Sequence, residues 1–444
     1  MIKLEGMHFY INIDNFDDVV DEEESRTGKI NHSIHALNTF FSAIERYGLD
    51  NYRKVFFVEK ITGARLHMYV ISDVISAFNV VKDIAVYAFE LTKYFNSKIA
   101  KYKTLLKFEI QIGAAYGEFY DFVFKDGEFE EETTIGFAAN YAAKLQILSK
   151  PGALSVSDSV YSKIKDKEAG VFTKSQSPKI KKYGESCYYT VPLQMLVSNN
   201  MEEHDKALVN ANEIAKKVNL TDITYEDARV LIDPKNLSVD NVKKVIGIPL
   251  FADVRDFTSQ FDNGDKNLAE MAKKTQDILL CMYKIVEKNC GVHIQFQGDR
   301  EFALYHDYGN QKCVVNAVNA AMRIIDGIHK FRVCVGIGES LGRVFVSRIG
   351  ARGEKDNIVL GRIVAEADRF EDDYAGENEL VISENIYKVL QEEKPQLARL
   401  FEKNKNGVYI TRVGYEEFVG IVEKARLEKN NRSRNYNGAW QNEE

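Results

Sequence analysis

The chain has 444 residues, of which 45% are hydrophobic and 28% are charged, and its formal net charge is -7. A chain of this length exceeds what one hydrophobic core usually supports, so we expect two domains. The negative balance argues against a general binder of nucleic acid or membrane surfaces, and no apolar run in the sequence reaches membrane-spanning length.

Strand and helix patterns alternate along the first half of the chain. Apolar residues predict a strand over residues 8–16, followed by an acidic loop, and their helical spacing predicts helices over 31–47 and 73–95. Between these helices, two strands flank the turn Thr62-Gly63. A strand over 106–115, an acidic hairpin, a helix in TTIGFAANYAAKLQIL and two closing strands complete this half.

From about residue 247 the same order returns, beginning with the strand GIPLFADV and a helix over 268–287. A hairpin in HIQFQGDREFALYH, a helix over 313–330 and a strand in FRVCVGIGESLGRVF follow. Phe16 matches Phe257, Gly63 matches Gly298 and Gly136 matches Gly361, so the separation between the copies drifts only from about 240 to about 225 residues. The pattern indicates a domain duplication rather than a short solenoid repeat.

Each copy has the β-α-β-β-α-β order of a ferredoxin-like α+β domain, whose sheet keeps one face free of its own helices. We therefore predict that the two copies pack together as an intramolecular pseudo-two-fold dimer. The predicted division is a first domain over residues 1–195, a polar linker over 196–240 and a second domain over 241–425. Residues 426–444 are poor in apolar side chains and are predicted to be disordered.

Two carboxylates of the second copy stand where predicted strands end. Asp253 follows an apolar run ahead of a predicted helix, and Asp299 lies at the tip of the hairpin Gln297-Gly298-Asp299-Arg300. Neighbouring carboxylates at strand ends suit a pair of Mg²⁺ or Mn²⁺ ions, which bind oxygen ligands and substrate phosphates. Taken singly, Asp253 also fits a helix cap and Asp299 a turn residue.

The remaining reactive side chains show no metal-site or nucleophile pattern. The five cysteines and eight histidines lack metal-ligand spacing, and His67 and His293 are expected to be structural. The amino terminus lacks the apolar core and the cleavage site of a signal peptide. We expect a cytoplasmic protein with reduced thiols.

The motifs EKITG, IQIGAAYGE and TTIGFAANYAAKL of the first copy resemble those of the class III nucleotidyl cyclases, as do FADVRDFT, the hairpin GD and FRVCVGIGESLGRV of the second. Any one motif is weak evidence, but their combination in this order, twice, is specific. The resemblance implies two cyclase domains with the active site at their interface. It also implies an enzyme that uses two Mg²⁺ or Mn²⁺ ions to convert a nucleoside triphosphate into a 3′,5′-cyclic nucleotide and pyrophosphate.

The resemblance divides the site unequally between the copies. It places Asp253 and Asp299 at the two metal-ligand positions of the second copy, where the first copy has Asn12 and Ala64. The metal-binding half of the chemistry is therefore expected from the second copy alone.

The residues that stabilise the transition state are expected from the first copy instead. Asn140 and Lys144 lie one helical turn apart, where the family has asparagine and arginine. The resemblance implies that Asn140 orients the ribose and that Lys144 meets the charge developing on the α-phosphate. The second copy has Ala365 and Arg369 there, so one composite site is complete and its twin is broken. Lysine keeps the charge but not the planar fork of arginine, and a solvated helix lysine is the alternative interpretation.

Further substrate contacts are implied by position within the family pattern. Lys181, or its neighbour Lys182, is a candidate phosphate contact in the closing strand region. Phe257 and Thr258, which follow the first metal-ligand position, are also expected to bind substrate.

Lys60, three residues before Gly63, and Thr133, three before Gly136, stand where the family reads the base. This pair resembles adenylyl cyclases, although the amine-bearing edge of cytosine offers the same kind of partners. The compact pair of domains is similar to the pyrimidine cyclases of bacterial anti-phage (Pycsar) systems, which make cyclic CMP or cyclic UMP for a downstream effector. We favour such a pyrimidine cyclase, with an adenylate cyclase that makes cyclic AMP as the alternative.

Two other classes of protein fit the sequence less well. A catalytically inactive nucleotide sensor of the same fold is expected to have lost one of the metal-ligand positions, yet Asp253, Asp299 and Asn140 are all present. A ferredoxin-like RNA-binding fold is expected to carry a basic face, which the acidic balance disfavours.

Overall fold

The computed structural model describes residues 2–98, 107–127, 129–166, 170–198, 209, 224–226, 228–255, 268–350, 355–411 and 420. Within these ranges the chain forms two mixed sheets, of eight and ten strands. The strands of the first sheet are β1 (Ile2–Ile13), β2 (Phe56–Thr62), β3 (Arg65–Val70), β4 (Ile110–Asp126), β5 (Phe129–Ile135), β6 (Ala153–Ser157), β7 (Thr173–Ser175) and β8 (Tyr188–Pro192). The helices of this half are α1 (Phe16–Thr27), α2 (Asn31–Tyr52), α3 (Val74–Lys98), α4 (Phe137–Leu148), α5 (Asp158–Ile164), a 3₁₀-helix (Pro178–Tyr183) and α6 (Leu193–Ser198).

The second half repeats this plan with additional short strands. Its strands are β9 (Thr224–Glu226), β10 (Asn241–Val254), β11 (Val292–Gln297), β12 (Arg300–His306), β13 (Val335–Glu339), β14 (Gly342–Ile349), β15 (Asp356–Leu360), β16 (Glu379–Ile382), β17 (Glu402–Lys403) and β18 (Tyr409–Thr411). Its helical segments are a 3₁₀-helix (Pro234–Asn236), α7 (Leu268–Lys288), α8 (Cys313–His329), α9 (Arg362–Arg369), a π-helical turn (Phe370–Tyr374), α10 (Glu384–Glu393) and α11 (Pro395–Ala398).

The strand order is the same in both sheets. The path β2-β3-β1-β4-β6-β8-β7 of the first sheet corresponds to β11-β12-β10-β13-β16-β18-β17 of the second. In each sheet the fourth strand of the path runs parallel to the fifth, whereas the third runs antiparallel to both of its neighbours. The predicted α+β duplication is confirmed.

One local prediction was wrong. The acidic stretch after the first strand is a helix, α1, rather than a loop, and Gly28 ends it in the left-handed conformation. Phe16, Val19, Val20 and Glu23 are buried at helical spacing, so a narrow stripe packs inward, whereas Asp17 and Asp18 are exposed. The Glu23 carboxylate accepts hydrogen bonds at the start of α2, which compensates its burial.

The two halves exchange equivalent arms at their interface. Tyr120, Phe124 and Ile135 of the β4–β5 arm pack into the hydrophobic core of the second half. The equivalent residues of the β14–β15 arm, including Phe345 and Leu360, pack into the core of the first half. Because each half completes the core of the other, the predicted face-to-face association is a shared core rather than a surface contact.

A pair of backbone contacts reflects the pseudo-two-fold relation. The Glu131 carboxylate accepts the amide N–H of Phe296 at 2.9 Å, and the Asp356 carboxylate accepts that of Ile61 at 2.7 Å. Glu131 and Asp356 occupy equivalent positions in the two halves. Glu131 lies five residues before Gly136, which precedes α4, and Asp356 lies five residues before Gly361, which precedes α9. Each half therefore caps a strand of the other with an acidic side chain.

His293 adds a charged bridge to this interface. It contacts Glu131 of the first half and Glu301 of its own half, each at 2.7 Å. Burial alone lowers the pKa of His293, but the charges and hydrogen bonds of Glu301 and Glu131 outweigh burial and raise it from 6.5 to about 10. The imidazolium is therefore part of the folded interface at neutral pH.

We expect the His293 contribution to stability to be complete below pH 6.5 and to be lost as the pH rises towards 10, because folding raises its pKa. His293→Gln should cost about 3–5 kcal/mol at neutral pH, the usual effect of removing one partner from a buried pair. Denaturant titrations from pH 6 to pH 10 test this. A variant whose stability falls with pH as steeply as that of the wild type would contradict it.

The proposed linker over residues 196–240 begins within the last residues of α6 and ends directly before β10. Its described residues are 196–198, 209, 224–226 and 228–240. The proposed tail over 426–444 lies outside the described residues.

All five cysteines are free thiols. Among the described helices, none combines the length and apolar composition needed to cross a membrane.

Candidate active site

A cavity of about 350 Å³ opens between the two halves. Asn140 and Lys144 of the first half line it together with Asp253 and Asp299 of the second. The structure therefore brings together the four residues that the sequence assigned to one composite site.

The two carboxylates reach this cavity because of the strand register in the second sheet. Asp253, the penultimate residue of β10, pairs with Arg300, and Asp299 occupies the two-residue turn between Gln297 and Arg300. Gly298, the other turn residue, has φ +69°, a left-handed conformation that tight hairpins need. Asp253 and Asp299 thus lie on adjacent strands at one end of the sheet.

Tyr183 lines the same cavity and lies within the electrostatic influence of both carboxylates. Burial raises the pKa of the Tyr183 hydroxyl, and the negative charges of Asp299 and then Asp253 raise it further. Asp299 is only 9% exposed. Two ionisable oxygen donors converging on a polar cavity form the kind of donor set that Mg²⁺ and Mn²⁺ prefer, so the residues fit the predicted ions.

The first half has no carboxylate at the equivalent points. In the first sheet Asn12 pairs with Arg65, and Ala64 occupies the turn between Thr62 and Arg65. The strand registers therefore equate Asn12 with Asp253, and Ala64 with Asp299.

An ion-pair network beside the carboxylates was missed in the sequence. Arg255 contacts Glu371 at 2.6 Å and Asp253 at 3.5 Å, whereas Arg300 contacts Asp368 at 2.5 Å and Glu371 at 2.9 Å. Burial raises the pKa of Glu371 to about 7, against the opposing effect of Arg300. Only the position of Arg255, two residues after Asp253 and just past the end of β10, was a signal in the sequence.

Helix α4 presents the other side of the site. Asn140 and Lys144 are one turn apart on it, and both line the cavity. A Cβ atom added at Gly298 would lie 3.1 Å from Oδ1 of Asn140, so this amide is close to the hairpin that carries Asp299. The Tyr183 hydroxyl donates to the backbone carbonyl of Asn140 at 3.2 Å and anchors the helix there.

The equivalent helix of the second half, α9, does not supply the same pair to this cavity. Ala365 and Arg369 are exposed and are not part of its lining, which instead includes Asp368 from that helix. The pseudo-two-fold relation assigns the α9 pair to the twin site, so the asymmetry between the two sites rests on the residue types, with Ala365 where α4 has Asn140.

The predicted base-contacting residues are bonded to one another. Nζ of Lys60 donates to Oγ1 of Thr133 at 2.9 Å, to the carbonyl of Phe296 at 2.8 Å and to Glu131 at 3.2 Å. An ammonium has three donors, so all of those of Lys60 are engaged inside the protein. Lys60 lines the cavity, whereas Thr133 is buried and does not. The neighbouring Thr134 lines the cavity in its place.

Glu59 is the second group that the sequence did not reveal. Its carboxylate accepts from the Thr133 hydroxyl at 2.9 Å, from the Thr134 N–H at 2.8 Å and from the Thr134 hydroxyl, and it contacts His67 at 3.2 Å. His67 in turn contacts His8 at 3.0 Å. A β-bulge at Glu59, between Val58 and Lys60, gives it this orientation.

The three side chains of this group, His8, Glu59 and His67, place potential metal-ligand atoms within 4.8 Å of one another. Burial, followed by the charge of His67, lowers the pKa of His8 to about 3, and burial also lowers the pKa of His67 far below its ordinary range. Both rings are therefore neutral at neutral pH. Since hydrogen bonds already use the acceptor sites of Glu59, the group forms a network that fixes the orientation of this carboxylate.

The structure does not place the predicted phosphate contact Lys181 at the cavity. Lys181 is exposed and lies outside its lining, whereas Tyr183 of the same 3₁₀-helix lies within it. Phe257 and Thr258 lie outside the described residues, and the side chain of Lys182 is not described either.

Comparison with solved structures identifies the architecture. A crystal structure described as a class III adenylyl cyclase-like ATP-binding protein from Pseudomonas aeruginosa superposes with a TM-score of 0.72 and 17% identity. The match covers 95% of this chain and 90% of that one. The chain has the class III adenylyl cyclase-like fold. The resemblance predicted from the sequence is confirmed at this level, and the class III fold spans both halves of the chain.

Sequence comparison points the same way over a shorter stretch. An adenylate cyclase from Anabaena cylindrica is 30% identical over 136 residues, which are 28% of this chain. The match spans only about a quarter of the length of that relative, 26%. No protein-family model matches the chain.

Proposed function

We propose that the protein is a class III nucleotidyl cyclase that converts a nucleoside triphosphate into a 3′,5′-cyclic nucleotide and pyrophosphate. The observation that carries this proposal is the composite cavity, in which Asp253 and Asp299 of one half face Asn140 and Lys144 of the other. The matched relative is named as an adenylate cyclase, and the matched structure is described as binding ATP, which agrees with a triphosphate substrate.

The residues divide the work of the reaction, in which the 3′-hydroxyl of the substrate attacks its own α-phosphorus. Asp253 and Asp299 would hold the divalent ions, which would neutralise phosphate charge and lower the pKa of the attacking hydroxyl. Asn140 holds the ribose so that the hydroxyl is aligned, and Lys144 stabilises the negative charge that develops on the α-phosphate. This scheme needs no nucleophilic side chain.

For the base, the proposal is a pyrimidine, so that the product is cyclic CMP or cyclic UMP. It rests on the resemblance of the compact domain pair to Pycsar cyclases, and it includes a cytoplasmic role in anti-phage defence through an effector that responds to the product. The alternative is an adenylate cyclase, which the names of the matched relative and structure favour.

The direct test is purified full-length protein with Mn²⁺ and ATP, GTP, CTP or UTP in separate reactions, with products identified by mass spectrometry. Cyclic CMP or cyclic UMP supports the pyrimidine proposal, and cyclic AMP supports the alternative. No cyclic product from any of the four, with Mg²⁺ as well as Mn²⁺, would favour an inactive nucleotide sensor of the same fold.

Lys144→Arg is expected to raise turnover, because arginine meets a phosphate with a planar fork whereas lysine offers a point charge. We expect an increase of about two- to tenfold in kcat with little change in KM, which corresponds to at most about 1.4 kcal/mol of added transition-state stabilisation. Initial rates with the preferred triphosphate measure it. Lys144→Gln is the matched control and should lower kcat; equal rates for both variants would remove Lys144 from the α-phosphate.

A further inference from the structure

Arg65 is a cation of the cavity wall on which the charges of Asp368 and Asp372 act only from beyond ion-pair distance. Its side chain lines the cavity, and its Nε is buried without a hydrogen bond. Within the part of the chain that the structure describes, the Arg65 guanidinium makes no hydrogen bond or ion pair, and its nearest recorded ring is Tyr10, at 6.0 Å from the ring centre. A buried donor group without an acceptor is costly, so the site is built for an acceptor that arrives with a ligand.

The equivalent arginine of the second half, Arg300, is held in place by ion pairs within the protein. Arg300 stands at the same register position after its hairpin, but it is held by Asp368 and Glu371 and stacks over Phe251 at 4.1 Å. Lys60, on the strand paired with that of Arg65, has all its donors engaged as well. Arg65 therefore differs from both in forming no ion pair among the described residues, although the Nε of Arg300 is also buried without a hydrogen bond.

Its neighbours place Arg65 on the wall where the base is expected. Arg65 and His67 are two residues apart on β3 and so face the same side of the sheet. His67 contacts Glu59, which is bonded to both threonines of the predicted base region, and stacks on Tyr10 at 4.0 Å between ring centres. The acceptor sites of Glu59 and the donors of Lys60 are used in hydrogen bonds within the protein. Of these three charged side chains, Arg65 is therefore the one whose charge can recognise a substrate base.

We propose that Arg65 recognises a ring carbonyl of the substrate base, so that the base is cytosine, uracil or guanine rather than adenine. This inference rests on the proposed cyclase function and narrows its substrate. A guanidinium only donates, and it pairs well with a carbonyl oxygen alone or beside a ring-nitrogen acceptor. Adenine offers only ring-nitrogen acceptors, and N1 and N7 each adjoin the amino group, whose N–H would be directed at the second arm of the guanidinium.

The test compares kcat/KM for CTP, UTP, GTP and ATP in wild type and Arg65→Gln. We expect at least one carbonyl-bearing substrate to exceed ATP in the wild type. Arg65→Gln should lower that value by about ten- to a hundredfold, the range for a hydrogen bond from a charged group, and leave the ATP value unchanged. Arg65→Lys should fall between the two, since it keeps the charge without the fork. Arg46→Gln, which alters an exposed pair with Asp50, is the matched control.

A uniform loss across all four substrates would overturn the inference, because it would assign Arg65 to the triphosphate or to the fold. A wild type that prefers ATP would overturn it too. Equilibrium binding of the four triphosphates with Mn²⁺ to the Asn140→Ala chain separates this inference from the proposed function. Selective binding that depends on Arg65, without cyclisation by the wild type, would retain the base assignment and refute the cyclase. Absence of binding by all four would refute both.

Discussion

Asp253→Asn and Asp299→Asn are each expected to lower the rate of cyclisation by at least about a thousandfold, because each removes an anionic oxygen ligand from the site where phosphate charge must be neutralised. Both substitutions preserve side-chain shape. In Asp253→Asn, Arg255 keeps its 2.6 Å contact with Glu371. We therefore expect thermal unfolding close to that of the wild type. Product formation by mass spectrometry across a range of Mn²⁺ concentrations measures the effect.

The duplicated architecture provides the matched control for this experiment. Asn12→Ala and Ala64→Ser alter the equivalent register positions of the first sheet, and they should change the rate by less than about threefold, since neither residue is an anionic metal ligand. If either aspartate variant retained near wild-type activity, the metal assignment would be wrong. If Asn12→Ala were as damaging as Asp253→Asn, the metals would not belong to the second half alone.

Asn140→Ala is expected to lower kcat by about a hundredfold or more with a smaller change in KM, because the amide aligns the ribose hydroxyl for attack. Its Oδ1 lies against the hairpin turn at Gly298, so the side chain is already placed between the two halves of the site. Single-turnover and steady-state rates with the preferred triphosphate separate the loss in chemistry from any loss in binding.

The control for Asn140 is its equivalent in α9. Ala365 is exposed and outside the cavity, so Ala365→Ser should leave kcat and KM unchanged. Comparable losses from the two substitutions would contradict a single composite site and indicate that both pseudo-symmetric positions take part in the reaction.

The sequence by itself determined the duplication, the order of elements in each copy and the residues that meet at the cavity. Periodicity places strands and helices, and the two glycine turns fix which residues of the copies are equivalent. Asp253, Asp299, Asn140 and Lys144 were assigned to the site by the resemblance of their motifs to class III nucleotidyl cyclases, because periodicity alone does not say which polar residues share a site. Reasoning from periodicity failed at α1, where a narrow buried stripe lies beneath an acidic surface.

Only the tertiary structure decided which atoms these residues meet. Lys60 occupies the position expected from its distance to Gly63, yet one of its donors is taken by the carbonyl of Phe296, 236 residues along the chain. Arg65 and Arg300 follow equivalent hairpin turns, but within the described residues only Arg300 has carboxylates at ion-pair distance. Hydrogen bonds and ion pairs depend on distances of a few ångströms between segments that the sequence separates. Local patterns fix where a residue lies on its element, and the packing of the two halves fixes what it can bind.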